Sequence, residues 1–207
     1  MTEEQIISLL LKENEELYKR LSLSNKSDLE NLKNILKKFD INTIIANFNV
    51  LSDLDLSEEE KELIDTLIRT ASHLSNRKVG AIITIEKEHN LNSLIEGSVK
   101  LDAEVTFELL ETIFHPNTRL HDGAVIIRGD RIMCASAFYQ PSQKKDIPQH
   151  YGSRHRAAIG ISEQSDAFTI VVSEETGQIA VTIGGTITGN VSLDDLRTAL
   201  NQQLIVR

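Results

Sequence analysis

The apolar residues in the first quarter of the chain recur at helical spacing. A first amphipathic helix, which Thr2 can cap, is indicated by Ile6, Leu10, Leu17 and Leu21. After a polar break, a second helix is indicated by Leu29, Leu32, Ile35, Leu36 and Phe39. Because isolated helices are marginal in water, this predicted α-helical hairpin, residues 1–48, must pack on the rest of the chain or on another subunit. It is either a passive assembly element or a regulatory lid, and the sequence leaves both open.

The pattern changes after residue 56. Ser57 and Glu60 form a capping box at the start of a helix that runs to Ala71. Short β-rich runs then predict strands at Val79–Ile85, Ala124–Ile127, Ile132–Phe138, Phe168–Val172 and Ile179–Ile183. Helical patterns interrupt these strands at Val105–Phe114, Arg154–Gly160 and Leu193–Leu204. Residues 57–207 are therefore predicted to form an α/β domain with a mixed, partly antiparallel central sheet flanked by helices.

Composition narrows the class of function. The formal net charge of −9 argues against a nucleic-acid backbone as the main partner, because such binding relies on a summed basic field. Cys134 is the one cysteine of the sequence, which excludes an intramolecular disulfide and a Cys-rich zinc module. The N-terminus lacks the apolar core of a secretory leader, and no window reaches the roughly 20 apolar residues of a membrane span. We therefore expect a cytoplasmic protein that binds neither nucleic acid nor membrane.

Asp122 and Gly123 stand directly before a predicted strand. A carboxylate at a strand entrance can point into a cleft, while a glycine lets another group approach the backbone closely. This arrangement suits catalysis. The same Asp-Gly pair is also an ordinary turn signal, and taken alone the turn is the more common interpretation.

A basic cluster opens the helix predicted near residue 154. Ser153 is the expected N-cap, so the free amides and the positive end of the helix dipole would face the same region as Arg154, His155 and Arg156. Arginine adds bidentate donors that match phosphate oxygens. Small apolar residues follow the cluster and should pack inward. The cluster therefore indicates a phosphate site rather than a solvated basic patch.

A third cluster, residues 173–177, ends a strand that is predicted to be buried. Its acids, Glu174 and Glu175, can hold a divalent metal or a ribose hydroxyl, although glutamates of an exposed β-turn would have the same sequence. Other nucleotide and hydrolase signatures are missing, since the sequence has no Walker A pattern, no G-x-G-x-x-G, no G-x-S-x-G and no H-E-x-x-H. Candidate chemistry therefore rests mainly on the clusters at Asp122 and Arg154.

Taken together, these clusters carry a family resemblance. Asp122-Gly123-Ala124 and Arg154-His155-Arg156 resemble the DGA and RHR motifs that define the diadenylate cyclase (DAC) domain family. The similarity extends roughly from Val79 to Val191, and the helical pair before it resembles that of the short, sporulation-type cyclases of bacilli. The resemblance implies a DAC-type fold that condenses two ATP molecules into cyclic di-AMP and releases two pyrophosphates.

The resemblance also implies catalytic roles. Asp122 would orient or deprotonate the attacking 3′-hydroxyl, and Gly123 would line the ribose. Binding of the phosphates and stabilisation of the leaving pyrophosphate would fall to Gly152, Ser153, Arg154, His155 and Arg156.

Further contacts are implied for the rest of the nucleotide. Phe138 and Tyr139 end a strand at the position where the family contacts adenine, and Ser173 belongs to the same nucleotide-binding set. A divalent metal, magnesium or manganese, would be bound by residues chosen from His121, Asp122, Glu174 and Glu175.

A single DAC site holds one ATP. The resemblance therefore implies a homo-oligomer in which two catalytic domains face each other, as a dimer or within a hexamer. Any element that changes this assembly becomes a regulator. We hypothesise that the N-terminal hairpin holds the domains in an arrangement that restrains catalysis. The alternative is a nucleotide-binding sensor module without cyclase activity, in which the hairpin transmits the signal.

Overall fold

The computed structural model describes residues 56–205, and the predicted hairpin of residues 1–48 lies outside the described residues. The helices are α1 (Glu58–Arg77), α2 (Phe107–Phe114), α3 (Ser153–Gln164) and α4 (Leu193–Ile205), with a 3₁₀ helix at Leu91–Ser93. Among the residues described, no helix is both long and apolar enough to cross a membrane. The strands are β1 (Ala81–Glu86), β2 (Ile95–Glu96), β3 (Val99–Glu104), β4 (Ala124–Arg128), β5 (Arg131–Tyr139), β6 (Phe168–Val172), β7 (Ile179–Ile183) and β8 (Thr186–Thr188).

These strands form one mixed sheet. Its order is β2-β5-β4-β1-β6-β7-β8, and β3 also pairs with β5. β1 and β4 are parallel, with Ile83 beside Val125, whereas β1 and β6 are antiparallel, with Ala81 beside Val172. The starts of β1 and β4 and the finish of β6 therefore lie at the same end of the sheet.

Helices cover both faces of the sheet. α1, α2 and α4 pack on one face, where the core includes Leu67 and Ile83. α3 packs on the other face, where Ile161 joins a core with Ile82. Burying each such side chain contributes about 1.5–3 kcal/mol to folding. Because side chains alternate along a strand, Gly80 faces the same side as Ile82, toward α3.

The α/β architecture expected from the sequence is confirmed for the described residues. β6 and β7 have the predicted bounds. The apolar pattern does not predict β2, β3 and β8, because two of them are very short and β3 carries exposed charges at Lys100, Asp102 and Glu104. α2 begins later than predicted, since Thr106 caps it by accepting a hydrogen bond from the Leu109 amide (3.2 Å).

The predicted capping box at the start of α1 is confirmed. The Ser57 hydroxyl accepts a hydrogen bond from the Glu60 amide (3.2 Å), and the Glu60 carboxylate accepts one from the Ser57 amide (2.9 Å). The helix continues beyond the predicted Ala71 because Leu74 extends its buried stripe. It ends at Lys78, whose left-handed φ of 53° stops the helical path just before β1.

Candidate active site

One end of the sheet brings the predicted clusters together. Extending the parallel register of β1 and β4 backwards places Gly80 level with Asp122. Extending the antiparallel register of β1 and β6 in the same direction places Ser173 on the other side of Gly80. The start of α3 lies near this row, since the guanidinium of Arg154 packs against Gly80. We call the row formed by Gly80, Asp122 and Ser173 the Asp122 end of the sheet.

Asp122 presents an exposed carboxylate at the entrance of β4. One carboxylate oxygen accepts a hydrogen bond from the Gly123 amide (3.0 Å). Gly123 has a φ of +90°, and a Cβ there would lie 2.9 Å from backbone atoms of Ser136 and Ala137. Glycine is therefore required both by the backbone conformation and by the close approach of β5. The Asp-Gly pair thus fixes the position of the Asp122 carboxylate at the start of β4.

The helix start differs in one detail from the prediction. Gly152, not Ser153, is the N-cap of α3, and Ser153 is the first helical residue, so the predicted Ser153 cap is wrong. The Gly152 carbonyl accepts a hydrogen bond from the Arg156 amide (3.1 Å), but glycine has no side chain to accept from the amides of residues 153–155. These three amides remain able to donate to an anion. Arg156 is half-buried, and its carbonyl accepts a hydrogen bond from the Ser142 amide (2.9 Å).

Arg154 makes two contacts at the Asp122 end. Its Nη1 donates to the Glu174 carboxylate (2.7 Å), and its guanidinium packs on the bare Cα of Gly80. The Arg154 side chain is 19% exposed, and within residues 56–205 its Nε is buried without a hydrogen-bond partner. A buried donor without a partner is costly. The guanidinium therefore keeps one donor that the described part of the chain does not use.

His155 is buried, and its ring stacks on Tyr151 with 4.7 Å between the ring centroids. Burial lowers the pKa of His155 below its ordinary value of 6.5, and the charges of His150 and Arg154 lower it further. At neutral pH His155 is therefore a neutral imidazole. A neutral ring still carries one N–H donor, so the predicted contact of His155 with a phosphate stays a prediction.

The four predicted metal ligands do not form one cluster. Among the described residues, no three His, Cys, Asp or Glu side chains converge on a common point. Glu174 is engaged in the ion pair described above, and Glu175 is exposed in the turn after β6. The Nδ1 of His121 lies 2.6 Å from the carbonyl oxygen of Thr118, so Nδ1 carries the proton of a neutral ring and Nε2 keeps a free lone pair. His121 and Asp122 are adjacent in sequence.

The other residues predicted to contact the nucleotide differ in the solvent exposure of their side chains. Phe138 is 47% exposed at the finish of β5. The structure does not place the Tyr139 ring at an open surface, because this ring is buried in the core on the α3 side and its hydroxyl donates to Thr84 (2.9 Å). The Ser173 hydroxyl accepts a hydrogen bond from the Thr176 amide (3.3 Å), so it stabilises its own turn.

The sequence pattern missed Gly80 as a site residue. Its signal is a glycine directly before a continuous apolar strand, opposite a predicted arginine-bearing helix start. With Gly80 included, the Asp122 end offers a carboxylate that can accept a proton, a guanidinium with a spare donor and open helical amides. Such a set can bind a phosphorylated ligand and activate a hydroxyl beside it.

Comparison with known proteins agrees with the motifs. Residues 68–187 match the family described as "DisA bacterial checkpoint controller nucleotide-binding", the DAC family, and the chain belongs to this family. It is similar to a diadenylate cyclase of Listeria monocytogenes, with 39% identity over 150 residues that cover 72% of this chain and 55% of that protein. It is also similar to the diadenylate cyclase CdaS of Bacillus thuringiensis, with 39% identity over 145 residues that cover 70% of this chain and 71% of that protein.

A solved structure supports the fold. The crystal structure of a double mutant of DacA from Staphylococcus aureus shares 41% sequence identity with this chain and has a TM-score of 0.69. The match covers 71% of this chain and 98% of the solved one. The chain spans little more than half the length of the Listeria relative, so the shared region is the domain rather than the whole of that protein.

Proposed function

We propose that the chain is a diadenylate cyclase, which condenses two ATP molecules into cyclic di-AMP and releases two pyrophosphates. Membership of the DAC family and relatives named diadenylate cyclase support this function. The observation that carries the proposal is the convergence of the Asp122 carboxylate and the Arg154 guanidinium at one end of the sheet. Nucleotidyl transfer needs both a proton acceptor for the nucleophile and cationic donors for the phosphates.

In the proposed reaction, the 3′-oxygen of one ATP attacks the α-phosphorus of the other. A new P–O bond forms, the bond from the α-phosphorus to the bridging oxygen breaks, and pyrophosphate leaves with that electron pair. Asp122 orients the hydroxyl and accepts its proton, while Arg154 and the amides at the start of α3 stabilise the charge on the leaving group. The reciprocal attack closes the ring.

A divalent cation, magnesium or manganese, is part of the proposal. The donors at hand are the exposed Asp122 carboxylate and the Nε2 of His121, whose lone pair is free because Nδ1 bonds to the Thr118 carbonyl. The carboxylate fits an ion that takes its remaining ligands from phosphate oxygens and water, as magnesium usually does. A nitrogen donor such as Nε2 suits transition metals better than magnesium. Bound there, the ion would neutralise phosphate charge.

The proposed reaction also requires two copies of the domain. One site holds one nucleotide, and ring closure needs two nucleotides with their 3′-oxygens and α-phosphates exchanged. We therefore propose a homo-oligomer in which two Asp122 ends face each other. In such an assembly the exposure of Asp122 in a single chain is expected, because the partner's nucleotide must reach it.

The test is a product assay. The full chain is incubated with ATP and either magnesium or manganese, and the products are identified by mass and counted against pyrophosphate. The expected result is cyclic di-AMP with two pyrophosphates for each cyclic dimer. Asp122→Asn is expected to abolish the product and to leave ATP binding largely intact, because the carboxylate acts on the nucleophile more than on ground-state affinity.

A matched control uses the other end of the same strand. Asp130 lies in the exposed turn after β4, and Asp130→Asn makes the same change of charge away from the Asp122 end. This variant is expected to keep full turnover. ATP binding without cyclic product would instead favour a nucleotide sensor, and pyrophosphate without the cyclic dimer would indicate transfer to another acceptor.

A further inference from the structure

We infer that Gly80 is a positioning residue for the proposed reaction. Because it has no side chain, it leaves the space in which the Arg154 guanidinium is held in position before the nucleotide binds. The inference rests on the proposed function and extends it to a residue outside the DGA and RHR motifs. Gly80 touches neither of the reacting atoms. Its effect is transmitted through the guanidinium that packs on it.

The three atoms nearest to a side chain at Gly80 would all belong to Arg154. A Cβ built on Gly80 would lie 2.6 Å from both Cζ and Nη1 of Arg154 and 2.9 Å from its Nε. Real Cβ atoms are not found so close to other heavy atoms, so any larger residue must move the guanidinium. The backbone at Gly80 does not itself demand glycine, because Gly80 is not among the residues with positive φ. The need for glycine therefore comes from the close approach of Arg154 and not from the backbone conformation.

The guanidinium is also bound by Glu174. The Glu174 carboxylate accepts from Nη1 (2.7 Å), so the guanidinium contacts both a carboxylate and the bare Cα of Gly80. Two contacts of this kind fix the plane of the guanidinium before substrate arrives, which lowers the entropy lost when phosphate binds. They also leave Nε as the donor without a partner in the described part of the chain.

Asp122 shares the geometry that Gly80 sets. Gly80 lies level with Asp122 on the neighbouring parallel strand. The same pair of strands therefore sets the positions of the guanidinium and of the carboxylate. A guanidinium displaced from Gly80 is displaced relative to Asp122 as well. A misplacement of about 1 Å can lower turnover by about 100-fold.

The experiment begins with Gly80→Ala in the full chain. Turnover to cyclic di-AMP is expected to fall by about 10- to 100-fold, with a smaller change in KM. Affinity for ATP, measured by calorimetry with Asp122→Asn present in both proteins to prevent turnover, is expected to fall by about tenfold. Gly129→Ala is the control for a methyl group added away from the site, because a Cβ there meets no atom within 4 Å and the turn lies at the opposite end of β4. The φ of +59° at Gly129 strains an alanine, so the folded fraction of this control is measured by urea unfolding. The control is expected to keep turnover per folded molecule.

A double-mutant cycle separates positioning from a structural role. In a chain that already carries Arg154→Lys, no guanidinium occupies the space beside Gly80. Adding Gly80→Ala is therefore expected to change turnover and ATP affinity less than twofold. The coupling between the two positions would then match the whole effect of Gly80→Ala. Equal losses with arginine and with lysine at position 154 would overturn the inference, as would a Gly80→Ala chain with unchanged turnover and affinity.

The two readouts distinguish this inference from the proposed function. If the unmodified chain binds ATP but makes no cyclic di-AMP, the proposed function fails, and the coupling in ATP affinity still decides whether Gly80 positions Arg154. If cyclic di-AMP forms and the cycle shows no coupling, the cyclase stands and the positioning role fails. A chain that binds no ATP overturns both.

Discussion

The two ends of the sheet each carry an arginine–glutamate pair, and the two pairs are built in opposite ways. Where β1 and β4 finish, Glu86 and Arg128 form what we call the Glu86 end, with side chains that are 4% and 40% exposed. At the Asp122 end the exposure is reversed, since the Glu174 side chain is 60% exposed and that of Arg154 is 19% exposed. At the Glu86 end the carboxylate is buried and its arginine partner is partly exposed. At the Asp122 end the arginine is mostly buried and its carboxylate partner is exposed.

Hydrogen bonding differs in the same way. Both carboxylate oxygens of Glu86 accept from the Arg128 guanidinium, and one also accepts from the Leu91 amide (3.0 Å). Arg154, in contrast, has one buried donor that no described group accepts from. The bond to Glu86 raises the pKa of Arg128, so the guanidinium stays charged. A complete pair stabilises the fold, whereas a pair with a spare buried donor is suited to binding a ligand.

Within this comparison of the two ends, the largest expected effect is on catalysis, from Arg154→Ala. Turnover to cyclic di-AMP should fall by about 100- to 1,000-fold, the range found when a donor to a developing negative charge is removed. Stability should change little, because the buried Nε without a partner disappears and Glu174 remains solvated. Initial rates and urea unfolding of the same preparations measure the two quantities. A chain that loses stability in proportion to its activity would contradict the comparison.

The reverse result is expected at the Glu86 end. Arg128→Ala leaves the carboxylate of Glu86 buried without its cation, which should lower the free energy of unfolding by about 3 kcal/mol. Turnover per folded molecule at low temperature should remain within about twofold of the unmodified chain, because a stability change alone leaves the folded fraction's chemistry intact. Arg131→Ala is a suitable control, since its partner Asp102 is exposed and loses little when left alone. Equal losses for the two variants would show that burial of Glu86 is unimportant.

A single strand end gives a finer comparison. Phe138 and Tyr139 are neighbours at the finish of β5, yet the first ring is open and the second is buried with its hydroxyl bonded to Thr84. Phe138→Ala should weaken binding of a non-cyclisable ATP analogue by about tenfold, as expected for loss of a base-stacking ring. Tyr139→Phe should keep that affinity and lower the free energy of unfolding by about 1 kcal/mol. Calorimetric titration and urea unfolding distinguish the outcomes, and a reversed pattern would assign adenine contact to Tyr139.

This pair also marks how far sequence reasoning reaches. The apolar runs of β1, β4, β6 and β7 predict buried strands directly, and the Asp122 and Arg154 clusters could be found because their residue types carry the chemistry. Which of Phe138 and Tyr139 is open depends on the bulge in β5, where Ser136 has a φ of 52°, and alternation alone does not reveal it. Gly80 has no side chain to suggest a role. Its importance follows only from the arginine that the fold brings against it.

The smallest expected effect concerns His155, which is buried beside Arg154 and kept neutral, unlike the buried charge of Glu86. Because burial lowers the pKa of His155 in the folded chain, the unfolded chain holds more protons on this residue between the folded value and the ordinary value of 6.5. The free energy of unfolding should therefore be highest above pH 6.5, decrease as the pH falls through this window and level off below the folded pKa. Urea unfolding from pH 8 to pH 5, with His155→Gln for comparison, measures this contribution. The variant should show a shallower decrease, and identical slopes for the two chains would mean that protonating His155 costs the fold nothing.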